Sequence, residues 1–163
     1  MTLATTRSQP SIDNRSSGRP VMLATLGVPL DEEAAAFAID SAGESGGDLV
    51  VVNVTRLEPL ALSMILGYDA LPELTPEVSA SLESWVGLAL QLGVRVERLR
   101  VRTPRPVEAL IELVGERRPG IHVFGPDPSA MPGRRYRRVR RAVLERLTCL
   151  VWTPPAAAPP VMS

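Results

Sequence analysis

The sequence predicts a single α/β domain: a five-stranded parallel sheet with helices on both faces, a Rossmann-like architecture. Three observations predict it. Short β-rich runs alternate with helical apolar stripes, and such alternation calls for parallel strands joined by right-handed crossovers. The run DLVVVNVT at 48–55 is almost unbroken apolar and β-branched, as a strand covered on both faces should be. The length, 163 residues with 45% apolar, fits one domain with a proper core.

Each element follows from its residues. PVMLATLG at 20–27 is the first strand, stopped by Gly27. Asp31, Glu32 and Glu33 then suit the positive end of a helix dipole. Ala34, Phe37, Ala38 and Ala42 give the first helix its stripe, and Gly43, Gly46 and Gly47 mark its end. After the second strand, residues 56–74 are apolar but broken by proline, and read as a packed loop with room for one helical turn. Thr75 caps the second helix, with Pro76 in its first position and Val78, Leu82, Trp85, Val86 and Ala89 on its core side. VRVERLRVR at 94–102 alternates by twos, with a slip near Arg98, and reads as an edge strand with one wet face. The third helix starts near Pro106 and carries Val107, Leu110, Ile111 and Val114. IHVFG supplies the fourth strand. Tyr136, Val139, Val143 and Leu147 fall on one face of a fourth helix, and CLVWTP is the last strand. The domain is expected over 20–154, after a disordered leader at 1–19 and before a flexible Pro/Ala tail at 155–163.

Composition removes several function classes. No apolar run reaches the ~18 residues of a membrane span, and the polar start lacks the apolar stretch of a signal peptide. Cys149 is the one cysteine and His122 the one histidine, so neither a disulfide nor a His-pair metal site or relay can form within the chain. Both sit in apolar runs and read as buried structural residues. No Ser/His/Asp arrangement is placed for attack, so no catalytic residue is expected and the protein reads as a non-enzyme. Asp127, in the loop after the fourth strand, reads as a turn residue.

In open parallel sheets ligands bind at the carboxyl ends of the strands, where strand order reverses. The candidate pocket is therefore Thr25 and Gly27 after the first strand, Asn53 on the second, and the loop opened by Gly125, running on to Gly133, Arg134 and Arg138.

The order of elements resembles the universal stress protein domain over residues 20–154. VMLATLGVPLDEEAAAFAIDSA is similar to the family's opening strand, glycine and first helix. GDLVVVNVT resembles its second strand, RPVEALIELVGERRPGIHVFG its proline-entered helix and the strand ending in glycine, and AVLERLTCLVWTP its closing helix and strand. The resemblance implies strand order 3-2-1-4-5, an adenine nucleotide alpha-hydrolase-like fold, a cytoplasmic stress-response role, and homodimers paired through Leu150, Val151, Trp152 and Thr153. Two departures bear on ligands. Leu26 stands where nucleotide-binding members carry an Asp. Their Gly-x2-Gly-x9-Gly-Ser/Thr loop keeps only its first glycine, Gly125; the second place holds Pro128, and the final pair becomes Arg137 and Arg138. Neither ATP nor another cofactor is expected by that route.

The net charge is zero but lopsided: residues 1–94 hold 4 Arg against 12 acids, and residues 95–163 hold 14 Arg against 6 acids. Such asymmetry fits either an anionic partner at the basic half or head-to-tail attraction between copies. Six arginines fall between positions 134 and 141. A 100° step per residue puts Arg134, Arg137, Arg138 and Arg141 on the outer face of the last helix. Three readings stay open: a solvated face, a phosphate site built on Arg134 and Arg138, and a nucleic-acid patch. The last is disfavoured by the scarcity of aromatics and the absence of a recognition motif.

Overall fold

The computed structural model describes residues 18–57 and 75–155. The loop expected at 56–74, the leader and the tail lie almost entirely outside them. The elements are β1 (Val21–Thr25), α1 (Glu32–Ser45), β2 (Leu49–Arg56), α2 (Pro76–Gln91), β3 (Val96–Thr103), α3 (Pro106–Arg117), β4 (Ile121–Phe124), a 3-10 turn (Pro128–Ala130), α4 (Gly133–Arg146) and β5 (Leu150–Trp152). The sheet is wholly parallel, in the order β3-β2-β1-β4-β5. The order reverses between β1 and β4, which places the crevice after their carboxyl ends.

Caps set the helix limits. Asp31 accepts from the Ala34 N–H at 3.0 Å and starts α1; Gly46, at φ +70°, ends it. Thr75 caps α2 ahead of Pro76, as expected. α3 ends on Arg118, which takes the left-handed conformation at φ +47° two residues before Gly120.

Two apolar layers sandwich the sheet. α1 and α2 cover one face with Ala34, Ala38, Leu82 and Val86 against Leu23 and Val51. α3 and α4 cover the other with Leu110, Val114, Val139 and Val143 against Met22, Val52 and Phe124. The slip near Arg98 is no bulge, since β3 pairs with β2 in unbroken register from Leu49 and Val96 to Arg56 and Thr103. Val96 packs under the first helix layer and Leu99 and Val101 under the second, while Arg98, Arg100 and Arg102 are exposed. Trp152 turns inward onto α1, its ring stacked on Phe37 at 4.6 Å between centroids and 9° between planes. Among the described residues no helix is long and apolar enough to cross a membrane.

Candidate functional site

The loop after β1 is held by its neighbours. Thr25, fully buried, donates its hydroxyl to the Val28 carbonyl at 2.6 Å. Gly27 turns the chain at φ +73° and donates its N–H to Asn53 Oδ1 at 2.9 Å. Asn53 thus clamps β2 to the β1 loop, and its Nδ2, buried, has no hydrogen-bond partner among the described residues. Leu26 is 4% exposed and packs into the layer under α3 and α4.

Gly125 is committed on both sides. Its N–H donates to the Ala24 carbonyl and its carbonyl accepts from the Asp31 N–H, each at 2.8 Å. A Cβ there would stand 2.8 Å from both the Ala24 oxygen and Leu23 Cδ1. The glycine is needed so that β4 can leave the sheet against β1 and Leu30, whatever ligand the site takes. The two loops are then zipped by an antiparallel bridge between Leu30 and Pro126 and by the Asp127 N–H donating to the Pro29 carbonyl at 2.9 Å.

Asp127 caps the 3-10 turn, accepting from the Ser129 N–H at 2.9 Å and the Ser129 hydroxyl at 2.8 Å, the turn role expected of it. Met131 is buried behind it, and Gly133 is the first residue of α4. No side chain caps α4, because Pro132 holds the capping position. Gly133 has no positive φ, and a Cβ on it would meet only Arg137 Nη1 at 3.7 Å. Arg134 and Arg138 are exposed on the helix that this loop launches, and Arg137 and Arg141 share that exposed face. None of these four makes an ion pair among the described residues. Arg140, at the core boundary, donates to Thr153 Oγ1 at 3.0 Å, and Arg146 reaches Glu108 at 3.8 Å.

An acid-lined cleft beside these loops escaped the sequence reading. Asp31, Glu32, Glu33 and Asp127 surround an open cleft of about 500 Å³ with Ser81 and Trp85. Ser81 Oγ accepts from the Leu30 N–H at 3.0 Å and fixes α2 against the β1 loop. The signal was the run of acids opening α1, which the dipole explanation absorbed. Tyr136 on α4 is tilted on Phe124, with 5.6 Å between ring centroids. Burial raises the pKa of its hydroxyl; Arg140 opposes that shift, and Asp31 and Asp127 add to it. Cys149 is half-buried, and burial likewise pushes its thiol up. Among the described residues no group of three or more His, Cys, Asp or Glu is placed to hold a metal ion.

A parallel sheet reversing between β1 and β4, with glycine-turned loops at the reversal, defines an open-sheet α/β domain with a crevice at its switch point. The family model described as the universal stress protein family matches residues 18–152, and the chain belongs to that family. Solved structures agree on the fold. A universal stress protein family member from Burkholderia pseudomallei superposes with a TM-score of 0.60 at 20% identity, over 87% of this chain and 99% of its own. A universal stress protein in complex with cAMP gives 0.61 at 22%, over 87% and 100%. One from Archaeoglobus fulgidus in complex with dAMP gives 0.58 at 19%, over 82% and 95%. No curated protein sequence matches the chain.

Proposed function

We propose that the protein is a non-enzymatic, cytoplasmic stress-response or regulatory module that works as a homodimer and does not hold ATP through the family's glycine loop. One observation carries this reading: the backbone donors such a loop would offer are missing or spent. The Gly125 N–H is bonded to Ala24, Pro128 has no N–H, and the place of the final Gly-Ser/Thr pair carries Arg137 and Arg138. The buried Leu26 supplies no acceptor where other members carry an Asp. Calorimetric titration with ATP and Mg²⁺ tests the reading. No heat is expected, and saturable micromolar binding would overturn it.

A second reading has its own support. The uncapped start of α4 presents free N–H groups beside Arg134 and Arg138, a setting that favours phosphate. Relatives are known in complex with cAMP and dAMP. The pocket would then be Thr25, Gly27, Asn53, Gly125, Gly133, Arg134 and Arg138, with the Asn53 Nδ2 as a spare donor. On this reading AMP or cAMP raises the melting temperature, and the double variant Arg134→Ala/Arg138→Ala loses that rise. Equal shifts in both proteins would remove the arginines from the site.

A further inference from the structure

The charge asymmetry of the sequence becomes a physical separation in the fold. α1 carries four acids and α2 carries two, with no basic residue in either helix. α4 carries seven arginines and one acid. α1 and α2 pack on one face of the sheet, and α4 packs on the other. The sheet stands between them, and no ion pair joins the two sets among the described residues. Glu32, Glu33, Asp40, Glu44, Glu77 and Glu83 are all exposed and make no ion pair among the described residues. Arg134, Arg137, Arg138 and Arg141 on α4 likewise make no ion pair among the described residues.

We infer that the arginine face of α4 docks on the acidic α1–α2 face of a second copy of this chain. Charge complementarity argues for that occupant, since both halves of the contact are present on one polypeptide. The zero net charge leaves no overall repulsion to hold copies apart. Shape and apolar area assist. The acid-lined cleft offers the Trp85 ring as a wall for an arginine stem. Leu144 on α4 and Leu88 on α2 are both well exposed, at 43% and 40%. A nucleic acid fits less well, because Tyr136 is turned onto Phe124 and leaves the arginine face without a stacking platform. The two docking surfaces differ and lie on opposite sides of the sheet, so the contact does not close on itself and runs head to tail. It uses different elements from the β5 edge and does not depend on the dimer proposed above.

Sedimentation of the full chain at about 20 mM and about 0.5 M NaCl tests the inference, because screening shortens the reach of charge from over 20 Å to a few Å across that range. The weight-average mass is expected to rise with protein concentration at low salt, to at least about twice its high-salt value. Two variants are expected to lose that rise: Arg137→Glu/Arg138→Glu/Arg141→Glu on α4, and Glu33→Arg/Asp40→Arg/Glu44→Arg on α1. Mixed in equal amounts they should associate again, since each restores a face complementary to the other; unchanged circular dichroism confirms that both are folded. Leu150→Glu should leave the salt-dependent step in place even where it removes a dimer. An unchanged mass across the salt range, or a mixture that stays apart, would overturn the inference. So would a chain that stays unassociated yet retards a short RNA or DNA duplex, which would give the face to nucleic acid.

Discussion

His122 is the residue whose environment departs furthest from its chemistry. It is fully buried on β4, both ring nitrogens lack partners among the described residues, and burial lowers its pKa from 6.5 to about 4. The folded state therefore holds it neutral, while the unfolded chain takes up a proton below pH 6.5. Its contribution is intact above pH 6.5 and is lost as pH falls toward 4, by about 3 kcal/mol in all. Urea unfolding at neutral and mildly acid pH should show wild type losing far more stability than His122→Leu. The same variant should gain about 1 kcal/mol at neutral pH, by removing two unpaired buried atoms. Gly125→Ala makes the opposite case. Its methyl would press on a backbone oxygen, and a loss of about 1–3 kcal/mol in the same assay is expected. At this scale the sequence pointed to positions but not to their bonds. His122 was legible as a structural strand residue because IHVFG is apolar. Asn53 looked only like a ligand contact, and its clamp on the Gly27 N–H joins residues 26 positions apart, which no local pattern encodes.

Helices and strands were legible where side-chain period and capping chemistry agreed. α2 begins at Pro76 behind the Thr75 cap, and the four arginines that the helical step places outward, Arg134, Arg137, Arg138 and Arg141, are exposed. Sequence patterning misled where packing set the outcome. Gly43 lies inside α1 because Gly46 supplies the left-handed turn that ends it. The apolar phase change in β3 marks the two helix layers it serves, a fact of the assembled sheet rather than of the strand. α3 ends two residues before Gly120, and Arg118 rather than a glycine takes the left-handed turn. A side chain is disfavoured there, so Arg118→Gly should raise stability by about 1 kcal/mol, read as a shift in the thermal midpoint. An unchanged or lower midpoint would show that the Arg118 stem contributes packing of its own.

Among the described residues β5 forms an exposed apolar edge, and the acidic and basic helices lie on opposite faces of the sheet. β5 is three residues long and paired on one side only, and Leu150 on it is 68% exposed. Such an edge invites a second strand, and a homodimer paired through Leu150, Val151, Trp152 and Thr153 is our expectation. Leu150→Glu should then halve the mass at high salt in light scattering, whereas an unchanged dimer would place the contact elsewhere. The fold class was legible because alternation and handedness leave few topologies, whereas the strand order was implied by the family resemblance. The acid cleft was not, because Asp127 lies 95 positions beyond Glu32 and only the closure of two loops brings them together.

The flat stack of Phe37 on Trp152 ties the outermost strand to the middle of α1. The first residue before that helix, Asp31, is fastened to Gly125 at the mouth of the crevice. One rigid strut thus spans from the rim where a sister subunit would join to the gate where a small molecule would enter. A substitution that displaces Trp152 is expected to loosen this end of the helix, and a shift in the Trp152 emission would report it.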